Sequence, residues 1–323
     1  MLFLPRASYE HKIKSLKEES AERIMHKQLS EEIKRGEIKA LARAISFIEN
    51  DRPGYEDLLR SVSASYSANI IGITGPPGAG KSTLVDSMIS ELIADGKKIA
   101  VICVDPSSPF NFGAVLGDRI RMSQWYTHPN VFIRSLATRG SVGGLNAKIL
   151  EITDLVRSAG FDSVIVETVG VGQSEIEIAG LADTTVVVLI PESGDEVQTM
   201  KAGLMEIADI FVINKSDRPD ADLFEKNLRL MIADSGTKQT PIFKTVATEK
   251  QGIGPLVKAI TESANKNNNG ERHLLLLTDK AWQLLVKKRM RDVNKGELKR
   301  MIENEYKNER FNLYSFIDTL KEY

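Results

Sequence analysis

The sequence predicts a doubly wound α/β fold, in which helices cover both faces of a mostly parallel sheet. Seven short runs are rich in Val, Ile and Leu, as is typical of strands that are buried on both faces. Amphipathic segments separate these runs, and this alternation indicates crossover helices between parallel strands. The predicted strands are Asn69–Thr74, Lys98–Val104, Asn130–Arg134, Ser163–Glu167, Thr184–Ile190, Ile210–Asn214 and Pro241–Val246. The predicted helices include Thr83–Ala94, Ala147–Ala159, Glu196–Ala208 and Leu256–Ala264.

Helical segments flank the predicted sheet on both sides. Charged sequence with apolar residues at helical spacing extends to about Ser61, and a polar run at residues 265–270 marks a linker. The apolar positions of the last segment suit either a dimerisation arm or packing onto the core. We therefore expect an N-terminal helical extension over residues 1–66, the sheet domain over 67–264 and a C-terminal helical arm over 265–323.

Composition limits the classes of function. The 323 residues are 42% hydrophobic and 27% charged, which is typical of a globular protein. A net charge of −1 argues against nucleic acid or a membrane surface as a partner. No apolar stretch approaches membrane-spanning length. The one cysteine, Cys103, cannot form an internal disulfide, so we expect a reducing compartment and a cytoplasmic location.

A glycine-rich sequence follows the first predicted strand, and it reads Gly75-Pro76-Pro77-Gly78-Ala79-Gly80-Lys81-Ser82-Thr83. The spacing G-x-x-x-x-G-K-S is that of a phosphate-binding loop. Glycines allow successive backbone N–H groups to point at phosphate oxygens, and the helix that follows adds the positive end of its dipole. We expect the Lys81 ammonium to reach the β- and γ-phosphates of a nucleotide and the Ser82 hydroxyl to ligate Mg²⁺.

A second motif, Asn214-Lys215-Ser216-Asp217, follows the sixth predicted strand. The Asp217 carboxylate can accept hydrogen bonds from guanine N1–H and N2–H₂ together, whereas adenine would leave it unpaired at a cost of about 1–3 kcal/mol. Asn214 should orient the loop, and the Lys215 stem should cover the base. Val246 and Ala247 end the last strand, where a backbone N–H could contact guanine O6. In this order after the phosphate loop, the motifs indicate GTP rather than ATP.

Carboxylates follow two further strands. Asp105 ends the second strand and Asp118 comes shortly after it, and either could bind Mg²⁺ or position the attacking water. Glu167 ends the fourth strand in the place of the loop that senses the γ-phosphate, and it can hold Mg²⁺ through water. Gly170 and its neighbouring glycine would allow that loop to move when the γ-phosphate leaves. A further polar loop at residues 194–201 follows the fifth strand.

With these motifs, the chain resembles the MeaB/ArgK-type GTPases associated with methylmalonyl-CoA mutase over nearly its whole length. The resemblance is carried by residues 74–83, 105–108, 116–118, 137–140, 167–175 and 194–198. It implies a P-loop GTPase with GTP or GDP and Mg²⁺, usually a homodimer. It also implies a chaperone that protects an adenosylcobalamin-dependent acyl-CoA mutase and gates cofactor loading. Lys81, Ser82, Asp105, Asp118 and Glu167 would serve phosphate, Mg²⁺ and hydrolysis, and Gln198 and Lys201 would belong to a partner-responsive switch loop.

The chain departs from that family's pattern at three places, and three alternative functions are considered for it. The departures are at residues 111–115, at 141–142 and at Val246, which replaces the usual Ser. No arginine finger in cis is identifiable, so we expect slow hydrolysis alone and acceleration by the mutase. The alternatives are a GTPase that inserts nickel or cobalt, a kinase of a transport protein, and a nucleotide-dependent scaffold without catalysis. A His- or Cys-rich metal site is missing for the first, and Asp217 argues against the second.

Overall fold

The computed structural model describes most of the chain in ten stretches. These are residues 24–62, 68–105, 122–138, 146–168, 174–193, 203–234, 240–264, 270–290, 293–307 and 311–320. The chain divides into two compact units, Met1–Asn269 and Gly270–Tyr323. Four of the predicted site residues, Asp118, Gly170, Gln198 and Lys201, lie outside the described residues.

The first unit is built around a sheet that has seven strands in the described residues. The strands are β1 (Asn69–Thr74), β2 (Ile99–Asp105), β3 (Val131–Ala137), β4 (Ser163–Glu167), β5 (Thr184–Leu189), β6 (Ile210–Asn214) and β7 (Ile242–Thr245). Their order is β3-β2-β4-β1-β5-β6-β7, and all neighbouring strands pair in parallel. The predicted parallel α/β sheet is therefore confirmed. The largest difference at a strand end is at β3, which ends at Ala137 and not at Arg134.

Helices in the first unit precede the sheet, connect its strands and cover both of its faces. They are α1 (24–34), α2 (Ile38–Glu49), α3 (Tyr55–Ser61), α4 (Lys81–Ala94), α5 (Ile149–Arg157), α6 (Ser174–Leu181), α7 (Gly203–Ile207), α8 (Ala221–Asp234) and α9 (Ile253–Ala264). Of the helix predicted over 196–208, the described part is α7. Helix α4 begins at Lys81 and α9 at Ile253, which is earlier than predicted in both cases.

Two apolar clusters pack against the sheet, as expected for a sheet covered on both faces. One cluster joins α4 and α9 to the sheet through side chains such as Leu84, Met88 and Leu256. The other includes Phe211 on β6 and Leu228 on α8. Side chains of this kind stabilise the fold by about 1.5–3 kcal/mol each when fully buried. The sheet is thereby fixed as a rigid platform, and the ends of its strands can position a site.

The helices that precede the sheet are anchored by two cationic side chains. Helix α2 packs on α5, and the Arg134 guanidinium from β3 contacts Glu49 Oε2 at 3.0 Å. The Lys148 ammonium lies 2.9 Å from Asp51 and 2.8 Å from the Tyr55 hydroxyl. Burial acts to lower the pKa of Lys148, but the hydrogen bonds to Tyr55 and Asp51 outweigh it, so this pKa is raised.

The second unit is helical in the part that the structure describes. Its helices are α10 (Gly270–Arg289), α11 (Lys295–Glu305) and α12 (Leu313–Thr319). The Asn294 side chain caps α11, and Asn312 caps α12 in the same way. Large apolar side chains are exposed here, namely Leu274, Leu275, Leu277, Trp282, Leu284, Leu285, Val286, Met290, Leu313 and Ile317. None of the described helices of either unit is both long and apolar enough to cross a membrane.

Candidate nucleotide-binding site

The phosphate loop leaves the carboxyl end of β1 and enters α4 at Lys81. Gly75 has φ +136°, and a Cβ at this position would lie 2.1 Å from the Val188 carbonyl oxygen. Gly80 has φ +85°, and its Cβ would lie 2.5 Å from Asn214 Nδ2. Both ends of the loop therefore require glycine, because a side chain would meet the neighbouring strand end or the amide that holds the loop.

Lys81 carries a largely buried positive charge inside the loop. Its side chain is only 7% exposed, and Nζ donates hydrogen bonds to the carbonyl oxygens of Gly75 at 2.9 Å and Pro76 at 3.1 Å. The first turn of α4 adds backbone N–H groups and the positive end of the helix dipole. This arrangement favours an anionic ligand, and phosphate is the group that such loops bind.

Ser82 and Glu167 meet beside this loop although they are far apart in the sequence. Strands β1 and β4 pair in parallel with Ile73 opposite Glu167, and the Ser82 hydroxyl donates to Glu167 Oε1 at 2.7 Å. Asp105 is buried at the end of β2, the strand on the other side of β4. The hydroxyls of Thr74 and Thr168 also join β1 to the segment after β4, at 2.9 Å.

The oxygen atoms of Ser82, Glu167 and Asp105 have the chemistry that Mg²⁺ prefers. Among the described residues, no group of three or more His, Cys, Asp or Glu side chains could enclose a metal ion. This donor set fits Mg²⁺, because that ion commonly uses one or two protein ligands and completes its shell with water and substrate phosphates.

Asn214 joins the phosphate loop to the segment that follows the last strand. The side chain is 2% exposed, and its Nδ2 donates to the Ala79 carbonyl oxygen at 2.9 Å. Its Oδ1 accepts from the Thr245 hydroxyl at 3.1 Å and from the Ala247 N–H at 3.2 Å. The amide thus links these two loops, and its role in orienting them for a nucleotide stays a prediction. The Ala247 N–H is directed at Asn214, so the contact of this loop with guanine O6 stays a prediction.

The rest of the second motif forms a turn over the phosphate loop. Lys215 has a left-handed backbone with φ +56°, and its Nζ donates to the Gly78 carbonyl oxygen at 2.8 Å. The Ser216 N–H donates to the Thr245 carbonyl oxygen at 3.1 Å. Asp217 is exposed, and no described residue forms a hydrogen bond or ion pair with its carboxylate. This carboxylate therefore keeps its full capacity as an acceptor.

The structure adds polar residues that the sequence did not single out. The Ser87 hydroxyl on α4 lies 2.6 Å from the Ala247 carbonyl oxygen, so it links α4 to the turn after β7. Thr74, Thr168 and Thr245 contribute the hydroxyl contacts given above. Each of these threonines ends or follows a strand, and that position at the carboxyl edge of the sheet is the signal that the sequence offers.

The structure gathers the described site residues at one edge of the sheet. These residues are Gly75, Pro76, Pro77, Gly78, Ala79, Gly80, Lys81, Ser82, Thr83, Asp105, Glu167, Asn214, Lys215, Asp217, Val246 and Ala247. The roles assigned to Asp118, Gly170, Gln198 and Lys201 stay predictions, because those residues lie outside the described part of the chain.

Known proteins that are similar in sequence to this chain are named as GTPases. The family model described as methylmalonyl-CoA mutase-associated GTPase MeaB matches residues 41–302. A protein of Pyrococcus abyssi named as a putative GTPase is 49% identical over 242 residues, which cover 73% of this chain and 75% of that protein. The GTPase ArgK of Escherichia coli is 39% identical over 249 residues, covering 72% of this chain and 75% of ArgK.

A solved structure extends the similarity to most of the chain. The crystal structure of a protein named LAO/AO transport system kinase has a TM-score of 0.63 and 27% sequence identity, and the match covers 93% of this chain and 97% of that one. Fold, motif order and relatives therefore agree: the chain is a GTPase and belongs to the MeaB family.

Proposed function

We propose that this GTPase is a chaperone of an adenosylcobalamin-dependent acyl-CoA mutase, with methylmalonyl-CoA mutase as the expected client. The description of the matched family, which names association with that mutase, supports the client. In this role the chain protects the mutase and couples loading of its cofactor to the nucleotide cycle. The cytoplasm is the proposed location, since the one cysteine, Cys103, is buried and cannot form an internal disulfide.

The observation that carries the nucleotide part of the proposal is the set of contacts made by Asn214. A single buried amide joins Ala79 of the phosphate loop to Ala247, so a base and a phosphate chain would be held by one connected unit. In this unit Asp217 accepts from guanine N1–H and N2–H₂, and Lys215 covers the ring. The backbone N–H groups of residues 75–83 and the Lys81 ammonium hold the phosphates.

Hydrolysis proceeds by in-line attack of water on the γ-phosphate, giving GDP and inorganic phosphate. Lys81 neutralises charge that develops on the phosphate oxygens, and Asp105 and Glu167 orient the water and the metal shell. Ser82 and these carboxylates would hold Mg²⁺, which would supply charge neutralisation at the phosphates. Asp118 is proposed to share the role of Asp105, and Gln198 and Lys201 to report the nucleotide state to the partner.

Nucleotide binding is tested by calorimetry with GDP and ADP on the parent protein, Lys81→Ala and Asp217→Ala. The parent should prefer GDP, Lys81→Ala should weaken both nucleotides, and Asp217→Ala should weaken GDP alone. A parent that binds ADP as tightly as GDP would overturn the assignment of Asp217.

The client is tested by phosphate release with and without purified methylmalonyl-CoA mutase. Because no arginine finger in cis is evident, release should be slow alone and faster with the mutase. The matched control is a mutase that does not use adenosylcobalamin, which should leave the rate unchanged. A rate that is fast alone and indifferent to every mutase would reject the chaperone proposal.

The C-terminal unit is proposed to form a homodimer. Its described helices expose many large apolar side chains, including Trp282 and Leu285, and exposed apolar groups of this density are typical of an interface. Light scattering should therefore give the mass of a dimer for the full chain. Trp282→Glu with Leu285→Glu should give a monomer that still binds GDP, and a parent protein that is monomeric at all concentrations would refute the proposal.

A second candidate function is phosphoryl transfer to a transport protein, which the name of the solved relative favours. Incubation with GTP labelled in its γ-phosphate distinguishes the two. Label that appears only as inorganic phosphate supports the GTPase chaperone, whereas label on a protein acceptor supports the kinase.

A further inference from the structure

An ion pair beside the base-reading turn connects the segments that follow two neighbouring strands. Arg218 comes directly after Asp217, and its guanidinium donates to the Glu192 carboxylate. Strands β5 and β6 pair in parallel with Leu189 opposite Ile213, so both segments leave the sheet side by side. The contact therefore joins the turn that carries Asp217 to the end of a different strand.

The other contacts of this turn lie on the side that precedes Asp217. The Ser216 N–H donates to the Thr245 carbonyl oxygen at 3.1 Å, and Lys215 Nζ reaches the phosphate loop. The Arg218 N–H closes the turn onto the Lys215 carbonyl oxygen at 3.0 Å. Among the described residues, the side-chain contact that ties the far side of the turn to a neighbouring element is the one between Arg218 and Glu192.

The charges around Asp217 give this contact a second consequence. Two cationic residues flank Asp217, whose side chain must accept from guanine. Lys215 precedes it by two positions and Arg218 follows it directly. Glu192 engages the Arg218 guanidinium, which would otherwise be available to pair with Asp217 and compete with the base. The pKa of Glu192 lies below its ordinary value, first because Arg218 donates to it, with the charge of Lys215 adding to the effect. Glu192 therefore stays ionised at neutral pH.

We propose that Glu192 and Arg218 are positioning residues for guanine selectivity, because their ion pair fixes the turn that presents Asp217 to the base. This inference rests on the proposed role of Asp217. The two side chains are 42% and 50% exposed, for Arg218 and Glu192 respectively, so the pair is of the exposed kind. Exposed pairs are modest in strength, and loss of this one should weaken GDP binding by about two- to fivefold.

Selectivity separates this role from a general loss of stability. IDP lacks the guanine N2 amino group, so it uses fewer acceptor sites on Asp217 than GDP does. Breaking the ion pair should therefore reduce the ratio of GDP to IDP affinity, while ADP binding and the midpoint of urea unfolding stay as in the parent. A side chain that merely supports the fold would lower the unfolding midpoint and weaken all three nucleotides together.

The test is a double-mutant cycle on the full-length protein, with Glu192→Gln, Arg218→Gln and both together, measured by calorimetry with GDP, IDP and ADP. Each single variant should lose about two- to fivefold in GDP affinity, and the double variant should lose no more than either. Arg218→Lys keeps the charge and should retain most of the selectivity. Arg229→Gln is the matched control, because it breaks another exposed pair, Arg229 with Glu225 on α8.

Two outcomes overturn the inference: unchanged selectivity in both single variants, or losses that simply add in the double variant. Asp217→Ala separates this failure from failure of the proposed function. If Asp217→Ala leaves the preference for GDP over ADP intact, the assignment of Asp217 itself is wrong. If Asp217→Ala removes that preference while the cycle shows no coupling, only the role of the ion pair is wrong.

Discussion

Replacing Asn214 with alanine should damage both the fold and nucleotide binding, by an amount that the structure allows us to work out. The buried amide makes three hydrogen bonds, to Ala79, Thr245 and Ala247. Alanine would leave a buried carbonyl oxygen and a buried N–H without partners, each costing about 1–3 kcal/mol. The Thr245 hydroxyl can rotate towards another acceptor and adds little, so the two unpaired groups should lower the free energy of unfolding by about 2–6 kcal/mol in total.

The same substitution should weaken nucleotide binding without changing which base is preferred. Asn214 holds the phosphate loop and the turn after β7 together but does not itself select the purine in our proposal. Both GDP and ADP should therefore lose affinity, by about tenfold or more, which corresponds to about 1.4 kcal/mol. Asp217→Ala provides the contrast, because it should weaken GDP and leave ADP unchanged.

Urea unfolding followed by circular dichroism measures the stability, and calorimetry measures the two affinities. Asn214→Asp keeps an acceptor for Ala247 but places an oxygen against the Ala79 carbonyl, so it should also lose stability. Asn294→Ala is the matched control, since it removes a helix cap on α11 that is not buried. It should lower the free energy of unfolding by about 0.5–2 kcal/mol with no change in GDP affinity. The reasoning is refuted if Asn214→Ala unfolds at the parent midpoint or loses affinity for GDP alone.

Three further substitutions test the packing of the phosphate loop, the metal shell and the partly buried Lys148. Gly75→Ala should unfold at much lower urea than the parent, since its Cβ would lie 2.1 Å from the Val188 carbonyl oxygen. Ser82→Ala removes the contact with Glu167, and titration with MgCl₂ at fixed GTP should show a higher Mg²⁺ requirement for hydrolysis, which Ser82→Thr should restore. Burial acts to lower the pKa of Lys148, but its hydrogen bonds raise this pKa overall in the folded protein. Its stabilising contribution is therefore present below the pKa of lysine in the unfolded chain, about 10.4, and is lost as the pH rises through the higher pKa of the folded protein. The difference in unfolding free energy between the parent and Lys148→Met should therefore be constant from pH 7 to about pH 10 and shrink above it; a difference that grows with pH would contradict this sign.

The strands were predictable because the central sheet is covered on both faces. Strand β5 is buried at every position, and after Thr184 and Thr185 it consists of the apolar run at residues 186–189, which is typical of a strand covered on both faces. Strand β3 was predicted too short because Arg134 interrupts its apolar run. In the structure the Arg134 side chain is directed at Glu49, and the strand continues to Ala137. Pairing with β2, which continues to Asp105 opposite Ala137, thus accompanies β3 to its end.

The starts of two helices were missed because the usual helix breakers lie in their first turns. Helix α9 begins at Ile253, and its next two residues are Gly254 and Pro255. Proline is tolerated there, since the N–H groups of the first turn have no partner within the helix. Helix α4 begins at Lys81, directly after Gly80, whose left-handed backbone ends the loop. The local sequence indicates a break in the helix at both sites, whereas in the structure a helix begins at each of them.

The candidate residues of the site were chosen from motifs, and the sequence did not indicate their contacts with one another. Ser82 and Glu167 are 85 residues apart, and Ala79 and Asn214 are 135 apart. Their meeting depends on β4 lying next to β1 and on β6 lying two strands from β1 on its other side, beyond β5, which is a property of the strand order. Spacing along the chain carries no information on that order. Motifs therefore identify the chemistry of the site, and the topology decides which groups touch.

Hydrogen bonds connect the base side of the site to the phosphate side, and this connection affects the binding free energy of a nucleotide. Lys215 contacts Gly78, Asn214 contacts Ala79, and Ser87 on α4 contacts the carbonyl of Ala247. A ligand that orders the base side therefore also orders the phosphate side, so part of the ordering cost is shared between base and phosphates. Guanosine and pyrophosphate, measured separately, should therefore each contribute less binding free energy than the corresponding part of GDP does. Because the coupling runs through Asn214, the difference between the affinity for GDP and the affinities for the two fragments should be smaller in Asn214→Ala than in the parent. Independent half-sites would give the same ratio of GDP affinity to fragment affinity in both proteins.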